Sequence, residues 1–332
     1  MFDYQKICQN LFKDLSPRTK DVLEGRFGLA GKQKETLESI GRHYGITRER
    51  VRQIQEDGFK KIREKETKIL GLVYKDFSEK LKKFGDLKKE NLLLEDLGGQ
   101  NSKNQVFFLL TLGDKFERFL ETERYHTFWT SNLNSFDLAK EVIDCFLEKL
   151  QRTKQLFKLQ DFTPPQKINP PALKSFLEIS KEIMINPEGL YGLRDWPEIN
   201  PKNVQDKAYI VFKKEKTPLH FTKVATLVSQ LPSPSPQKVF HRTVHNSLIK
   251  DPRFVLVGRG LYALREWGYT PGVIKELIFK ILKESKKPLT KEKIIEKVLE
   301  QRIVKSNTIL LNLQDKKCFL RDFKGRYKIK EA

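Results

Sequence analysis

The chain of 332 residues is strongly basic, with 64 Lys and Arg against 43 Asp and Glu, a formal charge of +21 and a pI of about 9.7. Hydrophobic residues make up 38% of it, which allows folded cores and excludes a disordered tail. The charge favours a polyanionic partner, and no apolar run approaches the roughly 20 residues of a membrane span, so DNA fits better than a membrane. The three cysteines are too far apart for a disulfide framework or a metal motif, and no leader pattern begins the chain, which predicts a cytoplasmic protein.

The first predicted elements are two helices. One apolar side in residues 1–14 indicates a short lead-in helix. Ser16 followed by Pro17 is a helix start, because the hydroxyl can cap the helix and proline suits its first position. Gly28 is expected to end this second helix, before a polar and basic loop that runs to Thr36.

Two further helices joined by a tight turn are predicted between Thr36 and Arg63. Gly45 would end the first, because glycine takes a positive φ without steric cost, and Thr47 would cap the second. An apolar stripe at helical spacing marks the buried side of the second helix, at Val51, Ile54, Gly58 and Ile62. Its opposite side carries four side chains that can read base edges, Arg48, Glu49, Arg52 and Gln53. A charged helix on an all-α core shows a similar alternation, and spacing alone leaves that alternative open.

Residues 11–65 resemble region 4 of the bacterial sigma-70 family, most specifically in the stretch GITRERVRQIQ. In that family the module binds the −35 promoter element and the flap of the RNA polymerase β subunit. The resemblance implies base contacts by the four residues above and backbone contacts by Arg26, Thr36 and Leu37. Arg50, Lys60 and Lys61 add positive charge for phosphates. Nothing resembles region 2, whose aromatic residues melt the −10 element, so promoter opening is not implied.

The next stretch is predicted to be a winged-helix unit over residues 66–131. Its first helix either continues from the helix before it or follows a bend near Lys65. Amphipathic and apolar patterns indicate three helices, at about 69–84, 92–97 and 105–112. An aromatic-rich hairpin over 116–129 would complete the order of three helices and a wing.

An internal repeat occupies the C-terminal part of the chain. LYGLRDW at 190–196 recurs as LYALREW at 261–267, and FVLVGRGLYAL at 254–264 corresponds to FLRDFKGRYKI at 319–329. The repeat predicts winged-helix units at 203–267 and 272–330, with a diverged copy at 135–196. Each is expected to contain three helices and a small β-hairpin.

The middle copy resembles the HARE-type helix-turn-helix domain, most specifically in DPRFVLVGRGLYALREWG from Asp251 to Gly268. That winged-helix family includes the δ subunit of Gram-positive RNA polymerases and modules of restriction enzymes and chromatin proteins. The resemblance implies contact with nucleic acid or with transcription machinery. Arg253 and Arg259 are candidate wing contacts to phosphate, since a wing tip often rests on a DNA backbone.

Motifs of catalysis are missing from the sequence. Gly258 and Gly260 precede a strand and lack the third glycine of a dinucleotide loop, and no phosphate-binding loop of the GxxxxGK[ST] type occurs. His241 and His245 have metal-ligand spacing, but Arg242 stands where a zinc protease needs Glu. We therefore expect no enzyme, no catalytic residue, no metal and no cofactor.

The sequence thus predicts a mainly α protein, with an N-terminal helix-turn-helix over residues 1–65 followed by an array of winged-helix units. Its expected function is sequence-specific DNA binding in transcription initiation, as a nucleoid-associated protein whose partners are promoter-like double-stranded DNA and the RNA polymerase core. Two alternatives stay open. One is a polymerase-associated interaction protein with incidental DNA contact, and the other is the DNA-targeting module of a restriction or repair system.

Overall fold

The protein is mainly α-helical with small antiparallel sheets, which confirms the predicted fold class. It forms two compact units, Met1–Asp195 and Trp196–Ala332. Among the described residues, none of the helices combines the length and apolar character that crossing a bilayer requires. The computed structural model describes residues 2–65, 68–232, 239–285, 287–316 and 318–330.

The first unit consists of helices and a few short strands. Its helices in the described residues are α1 (Tyr4–Leu11), α2 (Pro17–Phe27), α3 (Leu37–Tyr44), α4 (Arg48–Glu64), α5 (Lys68–Lys83), α6 (Glu90–Gly98), α7 (Lys103–Leu112), α8 (Asn134–Thr153) and α9 (Pro170–Ile179). Its strands are β1 (Leu87–Lys89), β2 (Glu117–Phe119), β3 (Phe128–Thr130), β4 (Ile183–Ile185) and β5 (Tyr191–Leu193).

The predicted helix boundaries near the N-terminus are confirmed. The hydroxyl of Ser16 accepts a hydrogen bond from the backbone N–H of Thr19 at 3.2 Å, and Pro17 opens α2. Gly28 ends that helix with φ of 63°. The helix α4 ends at Glu64, and residues 66 and 67, where the 66–131 unit is predicted to begin, lie outside the described residues.

One hydrophobic core joins the helix-turn-helix to the helices that follow it. Phe108 on α7 is fully buried. Ring centroids at 5.2, 5.2 and 5.9 Å from it belong to Phe12, Phe27 and Phe59. Because those rings come from the end of α1, from α2 and from α4, residues 2–65 and 68–131 fold around shared side chains rather than around separate cores.

Residues 68–130 have the element order of a winged helix, α5–β1–α6–α7–β2–β3. The strands form one antiparallel sheet in the order β1–β3–β2, so the predicted hairpin is present. The strand β1 was not predicted, because three residues paired to a strand 40 positions later carry no local periodicity. In this unit α7 is the third helix, and it contributes five buried residues to the core.

The stretch 135–196 contains fewer helices than the three that the repeat predicts. Between α8 and α9 the chain forms only a single 3₁₀ turn, Leu159–Asp161, within the described residues. The intervening segment TPPQKINPP, at 163–171, is rich in proline, which lacks the N–H that a helix interior needs. The hairpin of β4 and β5 is present as predicted.

The second unit contains two segments that each have three helices followed by a β-hairpin. The first has α10 (Val204–Glu215), β6 (Leu219–His220), α11 (Phe221–Gln230), α12 (His241–Lys250), β7 (Phe254–Gly258) and β8 (Leu261–Leu264). The second has α13 (Ile274–Ser285), α14 (Lys291–Leu299), α15 (Ser306–Leu313), β9 (Phe319–Arg321) and β10 (Tyr327–Ile329).

Equivalent residues of these two segments form equivalent contacts. Leu219 pairs with Tyr262 across an antiparallel ladder, and Leu289 forms the same kind of bridge with Tyr327. The turn glycines also agree, since Gly260 and Gly325 have φ of 69° and 77°. The sequence repeat therefore corresponds to a repeat in three dimensions.

A buried arginine ties together the segment that links the two copies. Arg302 is only 3% exposed, and its guanidinium donates hydrogen bonds to the carbonyl oxygens of Thr270, Gly272 and Gln301 at 2.5, 2.9 and 3.0 Å. The neighbouring N–H of Ile303 donates to the oxygen of Val257 at 2.7 Å. These bonds hold the end of α14 against both the linker and β7.

Replacing Arg302 with alanine is expected to lower the free energy of unfolding of this unit by about 2–3 kcal/mol, because three carbonyls lose a charged donor. Lys297→Ala, on the exposed side of α14, is the control and should stay within about 0.5 kcal/mol. Urea denaturation of the full chain, with hydrogen exchange of residues 268–273, measures both effects. Equal stabilities of the two variants would contradict the assigned role of Arg302.

Candidate nucleic-acid interface

The turn between α3 and α4 is closely packed. Thr47 caps α4 by accepting a hydrogen bond from the N–H of Arg50 at 3.2 Å, and Gly45 has φ of 62°, as the sequence predicts. A Cβ at Gly41 would lie 2.7 Å from the carbonyl oxygen of Ile46. A small cluster of buried residues supports the turn, formed by Val22, Ile40, Val51 and Ile54. The angle between the two helices therefore depends on a residue without a side chain.

Gly41→Ala is expected to destabilise the helix-turn-helix by about 1–3 kcal/mol, because the added methyl group meets backbone rather than a movable side chain. Gly71→Ala is the matched control. Its Cβ would meet nothing within 4 Å in helix α5, so this change should stabilise by about 0.5–1 kcal/mol. Thermal unfolding of both variants tests the sign difference, and a Gly41 variant as stable as the wild type would refute the packing argument.

Helix α4 has one buried and one exposed side, as its pattern predicts. The predicted stripe is buried, at Val51, Ile54, Gly58 and Ile62. The four predicted base-reading residues are all exposed, at Arg48, Glu49, Arg52 and Gln53. Within the described residues of the first unit no other element covers them, so this side of α4 is open to solvent.

The exposed side chains of α4 are ordered by ion pairs and hydrogen bonds within the helix. Arg52 contacts the carboxylate of Glu49 at 2.6 Å and also pairs with Glu56. The guanidinium of Arg52 holds the pKa of Glu49 below its usual range, so this acceptor is charged. Arg50 donates to the amide oxygen of Gln53 at 3.0 Å. Exposed pairs of this kind are worth about 0–1 kcal/mol, so they can rearrange toward bases at low cost.

Arg48 differs from its neighbours on the helix. It is the first residue of α4, and among the described residues its side chain forms no hydrogen bond or ion pair. An exposed, unpaired guanidinium at the first turn is available as a bidentate donor.

The predicted backbone contacts lie on α4 itself and on the elements before it. Thr36 is exposed and caps α3 through the N–H of Ser39 at 3.0 Å, while the side chain of Leu37 is half-buried against the turn cluster. Leu37 can therefore reach a phosphate through the backbone N–H at the start of α3 rather than through its side chain. The remaining predicted contacts are half-buried at Arg26 and exposed at Arg50, Lys60 and Lys61.

The two predicted wing arginines have different surroundings. Arg253 forms ion pairs with Asp251 and Asp206 at 2.6 and 2.9 Å, and its guanidinium lies over the ring of Tyr209. Hydrogen bonding to Asp251 raises the pKa of Arg253, whose charge is already balanced. Arg259 is exposed at the hairpin turn. We therefore assign Arg253 a structural role and keep only Arg259 as a proposed wing contact.

His245 and Cys8, which are of types common in metal and catalytic sites, have structural surroundings here. The ring of His245 lies 4.6 Å from that of Phe221 and 5.9 Å from that of Tyr262. In the described part of the chain, no three potential ligands come close enough to hold a metal ion. Cys8 is buried, and burial raises the pKa of its thiol to about 12, so it is not a reactive thiolate.

Two basic residues that the motifs did not single out lie beside Arg26. They are Lys34, in the loop before α3, and Arg118, on β2. The basic composition of the loop AGKQKE weakly indicates a role for Lys34. Nothing local indicates the second, since its position depends on how the hairpin packs against the helix-turn-helix.

A tight helix-turn-helix whose second helix leaves a polar and basic side open belongs to the class of modules that place a recognition helix in the DNA major groove. Residues 11–64 match the family model for Sigma-70, region 4. The RNA polymerase sigma factors SigA of Microcystis aeruginosa and of Synechocystis sp. are each 46% identical to this chain over 55 residues. SigA1 of Synechococcus elongatus is 44% identical over the same length.

These matches cover 17% of this chain and 13–14% of each relative. The similarity thus lies in the helix-turn-helix and includes every residue from Arg26 to Lys61 that the sequence predicts to contact DNA. Outside residues 11–64 the description rests on the structure alone, and the HARE-type resemblance remains a prediction.

Proposed function

We propose that this protein is a sequence-specific DNA-binding factor of transcription initiation, which inserts α4 into the major groove of promoter-like DNA. The single observation that carries the proposal is the open side of α4, where Arg48, Glu49, Arg52 and Gln53 face solvent above a buried apolar stripe. Arg pairs with guanine, Gln with adenine and Glu with the cytosine amino group.

The surrounding residues supply the part of the affinity that does not depend on sequence. Arg26, the N-terminus of α3 at Thr36 and Leu37, and the cations Arg50, Lys60 and Lys61 would neutralise phosphates on either side of the groove. The second unit would extend this contact through Arg259. The similarity to region 4 supports RNA polymerase core as a second partner.

A second candidate function is docking on polymerase with incidental DNA contact. The observation that favours it is an apolar strip on the first turns of α5, where Ile69 and Leu72 are 47% and 57% exposed. Residues three apart lie on one side of a helix, so the two form a continuous surface suited to a protein partner.

Selection from a pool of random duplexes separates these functions. The full chain is expected to enrich a short motif, whereas the double variant Arg52→Ala/Gln53→Ala should enrich none. Lys82→Ala removes one positive charge from an exposed site on α5 and should enrich the wild-type motif. Absence of enrichment by the wild type would reject sequence-specific binding, and capture of polymerase by the same sample would then favour the docking function.

A further inference from the structure

Three cations from the helix-turn-helix and the β2–β3 hairpin lie together; we refer to Arg26, Lys34 and Arg118 as the basic cluster. The ring of Phe107 lies 3.9 Å from Nζ of Lys34 and 5.1 Å from the guanidinium carbon of Arg118. Burial lowers the pKa of Arg26, and the charges of Arg118 and Arg48 lower it further. The cluster is therefore within electrostatic reach of the first residue of the recognition helix.

Contacts with the backbone and with one carboxylate hold the cluster in place. Arg26 donates from its guanidinium to the carbonyl oxygen of Glu35 at 3.1 Å. The carboxylate of Glu90 accepts from Arg118 at 2.7 Å and from the indole N–H of Trp129 at 2.9 Å. Trp129 is buried, so this carboxylate orients Arg118 from a rigid base.

The charges of the cluster do not balance. Among the described residues, Glu90 is the only carboxylate that forms an ion pair with any of its three cations. Burial lowers the pKa of Lys34; the charge of Glu90 opposes this shift, and the charges of Arg118 and Arg26 add to it. Like charges held close together raise the free energy of the protein, and an anion bound among them removes that cost.

We propose that the basic cluster binds the phosphate backbone of the same duplex whose major groove α4 enters, so that the β2–β3 hairpin forms part of the DNA interface. The inference rests on the proposed function of α4. It adds a contact from outside the region-4-like segment, because Arg118 joins the cluster only where the hairpin packs on α7 and α7 packs on α2. The ligand is a phosphodiester, which a cation recognises without reading sequence.

Salt titrations of duplex binding by the full chain test the proposal. Lys34→Gln and Arg118→Gln should each weaken binding about tenfold at about 0.1 M salt, equally for all sequences, and reduce the slope of log K against log salt by about 1. Glu90→Gln should tighten binding, because it removes the opposing charge while its amide oxygen still accepts the indole N–H. A role in folding alone would not produce this opposite sign.

Arg124→Gln is the matched control. Arg124 belongs to the connection between β2 and β3, lies over the ring of Tyr125 at 5.5 Å and pairs with Asp144 and Glu182, so it has similar contacts without joining the cluster. The slope of this variant should equal that of the wild type. Thermal unfolding of each variant confirms that it is folded.

The outcomes separate this inference from the proposed function. If Lys34→Gln and Arg118→Gln behave like the control while the wild type still selects a motif, the cluster does not bind DNA and base reading by α4 stands. If the slopes fall but no motif is selected, base reading fails and the phosphate contact stands. Stabilisation of the wild type by inorganic phosphate, lost in Arg118→Gln without any change in DNA binding, would assign the cluster to a free anion and overturn the proposal.

Discussion

Arg48→Ala is expected to weaken binding to the selected duplex by about 1–3 kcal/mol, which is about 5- to 150-fold, with the loss concentrated at one base pair. The side chain is exposed and has no partner among the described residues, so its removal leaves the packing of α4 unchanged. Alanine is also the strongest helix former, so the helix itself is retained. The change in affinity therefore reports the contact with DNA rather than a change in fold.

Fluorescence anisotropy measures this effect with the selected duplex and with duplexes that carry single base-pair substitutions. Arg48→Ala should bind the selected duplex and the duplexes substituted at one particular base pair equally well, because it no longer reads that pair. Gln53→Ala should show the same behaviour at a different position, while Lys82→Ala should keep the wild-type preference everywhere. An equal loss on all duplexes for both Arg48→Ala and Gln53→Ala would show that α4 contacts the backbone only.

Phe108→Ala is expected to cost about 3–5 kcal/mol of folding free energy, the largest effect on stability among these predictions. The ring is fully buried and lies against rings from the end of α1, from α2 and from α4, so its loss leaves a cavity that no single element can close. Phe323→Ala removes the same ring from a position that is 94% exposed and should change stability by less than about 0.5 kcal/mol.

Hydrogen exchange shows which elements share this core. Because the core is continuous, Phe108→Ala should reduce amide protection in α2 and α4 together with that in α5 and α7. Loss of protection confined to residues 68–130 would instead show that the predicted boundary between 65 and 66 separates two independent folding units. Fluorescence of Trp129, which lies in the same core, follows the transition in urea.

Local signals were sufficient for the helix-turn-helix. Ser16 and Thr47 cap helices as predicted, since a capping hydroxyl needs only an N–H three residues later. The buried stripe of α4 follows from the 3.6-residue period, and the exposed side follows with it. The repeat was readable because each hairpin needs glycine at a positive φ and aromatic residues at the same spacing.

Long-range packing was not readable in this way. The sequence suggested that Arg253 and Arg259 were alike, yet Arg253 pairs not only with the neighbouring Asp251 but also with Asp206, which lies 47 residues earlier in the chain. The three-helix expectation for 135–196 is wrong because the proline-rich segment 163–171 does not form a helix between α8 and α9. The strand β1 forms only because β3 offers it a partner.

The amino-acid sequence alone established that this protein carries a helix with an open, basic and polar side, because caps, glycines and apolar spacing act within a few residues of one another. The three-dimensional arrangement was needed to learn that α7 packs beneath that module and that Arg118 joins Arg26 and Lys34. Both depend on residues tens of positions apart, whose contacts arise from burial of a common apolar surface and leave no period in the sequence.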